Sequence, residues 1–242
     1  LYECMKVICE EGADYIYTDE ATFEGYDIRN IITYHFKPDF AIDNLRANNY
    51  ICHFSTFKAT LLEETGLFRK EYNGSQDHDI ILRLTSVAKK VYHIPKLLYY
   101  WRSHPNSVAS DINSKPYAIE AGKRVVHDNL AALGIEATVE STKAFPTIYR
   151  IHYKLTIQPL ISILIPNKDH VDDLTRCIDS ILDKSSYRNF EIIVIENNSV
   201  DAETFEYYEY LNTLSNVSVV KWDSGFNYAA INNFGAGFAK GE

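Results

Sequence analysis

Two clusters of polar residues in this sequence have the types and spacing needed for chemistry on a bound ligand. In the first, Pro166-Asn167 directly follows the apolar run Leu160–Ile165, and Glu196-Asn197-Asn198-Ser199 directly follows Ile192–Ile195. Runs that are apolar throughout are typical of parallel strands covered by helices on both faces. Ligands of open α/β sheets bind at the carboxyl ends of such strands. The first cluster therefore predicts a binding site.

The second cluster is the segment Ser75-Gln76-Asp77-His78-Asp79. Ser75 is a plausible N-cap for a helix running from Gln76 to about Ala88. A carboxylate at the start of a helix can act as a general base, or it can simply interact favourably with the helix dipole. The residues alone favour the dipole interpretation for Asp77. Arg83 lies on the same helix and is either a partner for these acids or a surface arginine.

The elements that must position the first cluster form a β-α-β unit. Leu174, Ile178 and Ile181 recur at helical spacing between the two apolar runs, which predicts an amphipathic helix over Val171–Leu182. Further helices and a strand at Val217–Lys221 follow. The fold class predicted for the whole chain is α/β.

The second cluster belongs to an earlier series of helices and strands. A strand is predicted at Ala13–Tyr17, ending in Thr18-Asp19-Glu20, and two strands, Val91–Ile94 and Leu97–Trp101, are predicted to hinge at Pro95. A long helix from about Lys115 and paired strands within 138–155 then form the predicted connector to the β-α-β unit.

Composition excludes several classes of protein. The 33 acidic residues outnumber the 24 lysines and arginines and give a net charge of −9 without a basic block, which argues against nucleic acid as a partner. No apolar run approaches the ~20 residues of a membrane span, and the four scattered cysteines are typical of reduced thiols. We expect a cytoplasmic protein whose parent could associate peripherally with the inner face of the membrane. The absence of GxGxxG after Ile165 disfavours a dinucleotide-dependent Rossmann enzyme.

Several motifs together resemble the family-two glycosyltransferases, inverting enzymes with the GT-A fold, and more narrowly the tandem bacterial versions that build cell-surface polysaccharides. The motifs are ISILIPNKD, EIIVIENNS and FNYAAINNFGAGFAKGE in the later part, and SQDHD and LYYWRSHPNS in the earlier part. Their order is unusual. Residues 1–110 resemble the C-terminal half of one GT-A domain, residues 111–158 form a helix and strand connector, and residues 159–242 resemble the N-terminal nucleotide-binding half of a second domain.

The order of the halves has two consequences. The family's metal-binding Asp-x-Asp turn would follow the segment KGE, and no residue present matches it. We therefore expect a fragment that is inactive by itself, with no certain metal ligand. The halves are also complementary. They could pack as one circularly permuted domain, within one chain or as a half-domain exchange dimer between two chains; the alternative is two separate half-domains with exposed sheet edges.

The resemblance implies roles for particular residues. Asp77 matches the acceptor-activating base, with Asp79 and Arg83 as supporting residues, and Arg102 and His104 fall in the region of the diphosphate and metal. The residues implied in nucleotide binding are Pro166, Asn167, Glu196, Asn198, Asn227 and Asn232. Glu196 stands where relatives usually carry an aspartate. The asparagines could instead cap helices.

The implied function is transfer of a sugar, with inversion, from a nucleotide-diphosphate donor to a growing cell-surface polysaccharide or lipid-linked acceptor. The intact enzyme would be metal-dependent and would use Mg²⁺ or Mn²⁺ to stabilise the departing diphosphate. The alternative is a non-catalytic binding or scaffold module that keeps the transferase fold.

Overall fold

A computed structural model describes residues 1–103 and 116–241 of the chain. These residues divide into two compact units, Leu1–Lys154 and Leu155–Glu242. The helices are α1 Tyr2–Glu11, α2 Ile42–Ala47, α3 Thr60–Thr65, α4 Gln76–Val87, α5 Pro116–Ala132, α6 Val171–Lys184, α7 Ala202–Leu211 and α8 Tyr228–Ala236. The strands are β1 Tyr15–Phe23, β2 Ile31–His35, β3 Ser55–Phe57, β4 Val91–Arg102, β5 Ala137–Ser141, β6 Tyr149–Tyr153, β7 Ile161–Asn167, β8 Phe190–Glu196 and β9 Val217–Lys221. No described helix is both long and apolar enough to cross a membrane.

The first unit is built on a mixed four-stranded sheet around β1. Strand β4 pairs with β1 in parallel along its whole length, and β2 and β3 pair with it antiparallel. Strand β1 is longer than predicted and contains Thr18, Asp19 and Glu20, all of them buried. Asp19 and Glu20 can lie in a buried strand because β2, the segment after it, β4 and the loop before β3 supply hydrogen-bond partners for their side chains. The hydroxyl of Thr18 donates to the carbonyl of Asp19.

The two strands predicted on either side of Pro95 are one continuous strand, β4. The pairing register shifts from Thr18↔Ile94 to Asp19↔Leu97, so Pro95 and Lys96 form a bulge. Proline has no backbone N–H to donate to a neighbouring strand, and a bulge is where a strand can accept it.

In the described residues, strand β1 pairs with strands of the first unit on both of its edges. Ile16 pairs with Thr56 on one edge of β1 and with Tyr92 on the other. Both edges of β1 are therefore hydrogen-bonded to strands of its own unit. Packing of the two halves as one circularly permuted domain within the chain stays a prediction. Exchange of halves between two chains stays a prediction.

Helix α5 and the hairpin β5–β6, which the sequence places in the connector, pack within the first unit. Val125 belongs to the same buried cluster as Tyr72 and Leu84, while Val126 and Tyr149 form a small core beneath the hairpin.

The second unit is a three-layer α/β structure. Strands β7, β8 and β9 are parallel and lie in that order. Alternate residues of β8 point to opposite faces, so Ile192 packs with residues of α6 and α7 on one face and Ile193 packs with α8 on the other. This is the β-α-β arrangement that the apolar runs predict, and it brings the ends of β7 and β8 side by side.

Candidate functional site

Asp77 lies half-buried in the first turn of α4. Its Oδ2 accepts a hydrogen bond from Asn49 Nδ2 at 3.1 Å and lies 3.9 Å from Cys52 Sγ, while Oδ1 is 2.9 Å from the backbone nitrogen of His78. The predicted N-cap contact of Ser75 is not formed, since its hydroxyl donates to the carbonyl of Ala118 instead. The carboxylate of Asp77 is thus partly exposed to solvent, and the side chain of Asn49 fixes its position.

Cys52 is a neutral neighbour of this carboxylate. Burial raises the pKa of its thiol to about 12, and the negative charge of Asp77 adds to the effect. A protonated thiol can donate weakly to a carboxylate but cannot act as an anion beside it.

Asp79 is 2% exposed and has two arginine partners. Arg83 donates to its Oδ2 from Nε at 3.1 Å and from Nη2 at 2.7 Å, and Arg69 contacts both carboxylate oxygens. Although burial raises the pKa of Asp79, the hydrogen bonds from the two arginines outweigh it and the net shift is downward. Arg83 also donates to the carbonyl of Thr65, so it is not merely a surface arginine: it anchors α4 to the end of α3.

Glu20 is the centre of a second group of ionisable side chains in this unit. Its Oε1 is 3.1 Å from Nδ1 of His35 and its Oε2 is 3.2 Å from Nδ1 of His53, with Lys37 Nζ at 3.9 Å. Burial raises the pKa of Glu20, but hydrogen bonds with the two histidines and the charge of Lys37 lower it overall to about 2. The carboxyl is therefore ionised at neutral pH.

The remaining predicted residues of the first unit are less informative. The guanidinium of Arg102 is exposed and lies over the rings of Phe23 and Tyr26, at 5.4 Å and 5.7 Å from their centroids. His104 lies outside the described residues.

In the second unit, Glu196 ends β8 and is 3% exposed. Its Oε1 accepts a hydrogen bond from the backbone N–H of Ser199 at 2.6 Å, whereas its buried Oε2 has no hydrogen-bond partner within the described part of the chain. A buried acceptor without a partner costs free energy, and it is available to a ligand that can donate a hydrogen bond.

The ends of β7 and β8 are tied together by polar contacts. Asn167 ends β7 and donates to the carbonyl of Asp169 at 2.9 Å and to Tyr208 Oη at 2.7 Å. Asp169 in turn accepts from the backbone nitrogens of Val200 at 2.8 Å and Asp201 at 3.0 Å. These backbone hydrogen bonds lower the pKa of Asp169. Pro166 lies inside β7, beside Ile195 in the sheet.

The three asparagines predicted here make local contacts. Asn198 donates to the carbonyl of Ser224 at 2.9 Å, and Asn232 donates to that of Tyr228 at 2.8 Å. Asn227 is the N-cap of α8, because its Oδ1 accepts from the backbone N–H of Ala230 at 3.0 Å. Helix capping, the alternative role considered from the sequence, therefore explains the hydrogen bond of Asn227.

Sequence reasoning missed Asn49, Cys52 and His53 near Asp77, and Asp169 beside Glu196. The residues 49, 52 and 53 lie in an irregular segment before β3, where no periodic pattern indicates which side chains turn inward. Asp169 follows a strand end by two residues and could have been found from that position alone.

A divalent cation would need several oxygen or nitrogen ligands close together. Among the residues that the structure describes, no three His, Cys, Asp or Glu side chains are grouped so that they could hold one. These residues therefore do not fit the expected Mg²⁺ or Mn²⁺ site, and no step of the chemistry is derived through a cation.

Comparison with known proteins gives a family and two relatives. Residues 162–242 match the model of glycosyl transferase family 2. The chain is 38% identical over 233 residues to the uncharacterized protein y4gI of Sinorhizobium fredii, a match that covers 95% of the chain and 25% of the relative. It is 36% identical over 227 residues to the O-antigen biosynthesis protein RfbC of Myxococcus xanthus, covering 94% of the chain and 17% of the relative. The chain thus spans a quarter or less of the length of these relatives.

The family match falls on the segment whose strand ends carry Asn167 and Glu196. The α/β class with a GT-A type of fold, expected from the sequence, is confirmed, since the family implies it and both units combine open sheets with helices. Residues 162–242 of the chain are thus similar to glycosyl transferase family 2.

Proposed function

We propose that the second unit binds the nucleotide of a nucleotide-diphosphate sugar donor at the ends of β7 and β8. The observation that carries this proposal is Glu196 Oε2, a buried acceptor with no partner among the described residues, next to Asn167 at a strand end of a family 2 segment. A carboxylate in this position can accept from a base N–H or from ribose hydroxyls. Further contacts with the nucleotide are proposed for three asparagines that follow the carboxyl ends of β8 and β9: Asn198, Asn227 and Asn232.

In the first unit, the proposed role of Asp77 is that of the base in an inverting transfer. Its carboxylate takes the proton of an acceptor hydroxyl while that oxygen attacks the anomeric carbon of the donor sugar. The bond from this carbon to the diphosphate oxygen breaks, and the nucleoside diphosphate leaves with the bonding electrons. Asp77 is suited to this role because it is half-buried, held by Asn49 and still partly open to solvent.

The acceptor is proposed to be a growing cell-surface polysaccharide or its lipid-linked precursor. Support comes from the relative of Myxococcus xanthus, which is named an O-antigen biosynthesis protein. A lipid-linked acceptor would place the parent protein in the cytoplasm at the inner face of the membrane. Asp77 and Glu196 would serve successive transferase domains, with Arg102 and His104 near the diphosphate of the first.

The donor site is tested by titrating UDP and dTDP into the chain by calorimetry, with and without MnCl₂. We expect Glu196→Ala to weaken nucleotide binding by about tenfold or more, because a hydrogen bond to a charged group contributes ~1.5–3 kcal/mol. Glu203→Ala, which changes an exposed glutamate in the first turn of α7, is the matched control and should leave the affinity unchanged. Equal affinity of the wild type and the Glu196→Ala variant would refute this donor site.

The base is tested in the full-length parent protein with a transfer assay. Asp77→Asn keeps the shape of the side chain and should lower kcat by about 10²–10⁴, the usual contribution of a general base, with little change in donor KM. Asp173→Asn, on the exposed face of α6, should have no effect. Full activity of the Asp77→Asn variant would exclude the role. Nucleotide binding without transfer by the wild-type parent would instead favour the non-catalytic module.

A further inference from the structure

His53 is a partly exposed imidazole whose position is fixed from several sides. Its Nδ1 is 3.2 Å from Glu20 Oε2, and its side chain is 38% exposed. The ring stacks on Tyr99, with centroids 5.3 Å apart at 23°, and on Trp101, with centroids 5.8 Å apart at 24°. The aromatic contacts fix the plane of the ring, and the carboxylate fixes its rotation in that plane.

The sheet explains how these groups come together. In the parallel pairing of β1 with β4, Glu20 lies opposite Tyr99 and Thr22 lies opposite Trp101. Residues two apart in a strand point to the same face, so Glu20, Tyr99 and Trp101 present one surface to His53. Lys37 holds the backbone of the same segment, since its ammonium group donates to the carbonyls of Ile51 and His53.

The ionised state of Glu20 determines which nitrogen of His53 remains available. A carboxylate only accepts hydrogen bonds, so the nitrogen facing it, Nδ1, carries a proton. Cys52 Sγ lies 3.3 Å from Nδ1 and 3.8 Å from Nε2, and the longer distance is near the limit for a hydrogen bond to sulfur. Nε2 is thus left to bind another group, as in other carboxylate–histidine pairs.

Cys52 is a common neighbour of His53 and the proposed base. Cys52 Sγ lies 3.8 Å from His53 Nε2 and 3.9 Å from Asp77 Oδ2. The thiol between them is neutral and small, so it repels neither group. A sugar whose hydroxyl approaches Asp77 would bring its other hydroxyls near His53, and its apolar face near the partly exposed rings of Tyr99 and Trp101.

We propose that Glu20 and His53 form an acceptor-positioning pair, in which His53 Nε2 hydrogen-bonds a hydroxyl of the acceptor saccharide beside Asp77. This inference rests on the proposed function of the first unit and names the part of its site that binds the acceptor sugar. His53 and Trp101 are the specificity-determining contacts, and Glu20 acts through His53.

The test follows the imidazole of His53 by NMR in the 242-residue chain with isotope-labelled histidine. The probes are the methyl glycosides of glucose, galactose, mannose, N-acetylglucosamine and rhamnose, each titrated to its solubility limit. At least one should cause a saturable shift of the His53 ring resonances. Glu20→Gln should weaken that binding about threefold or more, as expected for a misplaced hydrogen bond, and Trp101→Ala should weaken it further.

The chain offers a matched control in His152, which lies 2.9 Å from Glu140 but is on β6, away from these rings. Its resonances should not respond to the glycosides, and Glu140→Gln should not change the binding. The proposal is overturned if no probe shifts His53, or if His53 and His152 shift equally.

Failure here is distinguishable from failure of the proposed function. If nucleotide still binds in a Glu196-dependent manner while no saccharide reaches His53, the acceptor-positioning pair is wrong and the donor site stands. In the parent protein, His53→Gln should raise the acceptor KM several-fold and leave the donor KM unchanged; an unchanged acceptor KM would also overturn the proposal.

Discussion

Among individual residues, Asp79 and Glu196 are both buried carboxylates, yet their charges are compensated differently. Asp79 has two arginines, and each of its oxygens accepts from at least one of them. Glu196 has one backbone N–H on Oε1 and no partner in the described structure on Oε2. The carboxylate of Asp79 holds α4 in place through its two arginines. The carboxylate of Glu196 has one oxygen that can still accept a hydrogen bond, so it is the better candidate for contact with a ligand.

Glu20 should make the stability of the first unit depend on pH in the acidic range. Its pKa in the folded chain, about 2, is below the ordinary value of 4.5. A depressed pKa contributes stability that is fully present above about pH 4.5 and is lost as the pH falls towards 2. The shift corresponds to at most about 3 kcal/mol.

The measurement is the urea midpoint of unfolding between pH 7 and pH 3 for the wild type and Glu20→Gln. The variant should be less stable at pH 7, and the difference should shrink only below about pH 4.5. Glu64→Gln, an exposed change on α3, serves as the control and should give a curve parallel to that of the wild type. A constant difference between wild type and Glu20→Gln down to pH 3 would show that the histidine contacts do not stabilise the ionised carboxyl.

Among the elements, α5 lies so close to β6 that its glycine has no room for a side chain. A Cβ at Gly122 would meet Tyr149 Cζ at 2.7 Å and the hydroxyl of the same ring even closer. A rigid ring held in a small core cannot move aside easily. Glycine is otherwise unfavourable inside a helix by about 1 kcal/mol relative to alanine, so close packing is the reason for it here.

We therefore predict that Gly122→Ala destabilises the first unit by about 1–3 kcal/mol, the usual cost of overpacking, although alanine favours helix formation. Thermal or urea unfolding measures the change. Adding Tyr149→Phe removes the closest atom and should restore part of the loss. Gly225→Ala, where a Cβ meets nothing within 4 Å, should be close to neutral. A stabilised Gly122→Ala variant would contradict the contact.

The elements themselves were largely predictable. The apolar runs of β7 and β8 and the periodicity of α6 come from burial on defined faces, so their pattern survives in the sequence. The end of β1 was predicted wrongly because Thr18, Asp19 and Glu20 are polar, and the partners of Asp19 and Glu20 come from residues 35, 37, 53 and 93. Contacts so distant in sequence leave no local signal.

In the whole molecule, each hydrophobic cluster of the described residues belongs to one unit. Ile178 packs with Ile192 and Val194 in the second unit, and Leu84 packs with Tyr15 and Val125 in the first. We therefore predict that residues 1–154 and 155–242, produced separately, each fold and unfold cooperatively in urea.

Ile178→Ala provides the control for this prediction. It should lower the stability of 155–242 by about 2–5 kcal/mol, the cost of truncating a buried isoleucine, and in the full chain it should shift only the transition assigned to that unit. Circular dichroism and amide NMR dispersion monitor both pieces. An unfolded 155–242 piece would show that its core needs the rest of the chain.

The sequence by itself determined the α/β class, the parallel β-α-β unit with polar strand ends, and the family that residues 162–242 resemble, because burial periodicity and motif spacing are local properties. Only the tertiary structure decided that β1 has both edges occupied and that Arg83 is an anchor for α4. It also decided that Glu20 contacts His53 and that Cys52 is a neighbour of both His53 and Asp77. The physical reason is that the partners of these polar groups are supplied by distant segments. These polar groups meet their partners only after the strands of the sheet have paired in the correct register.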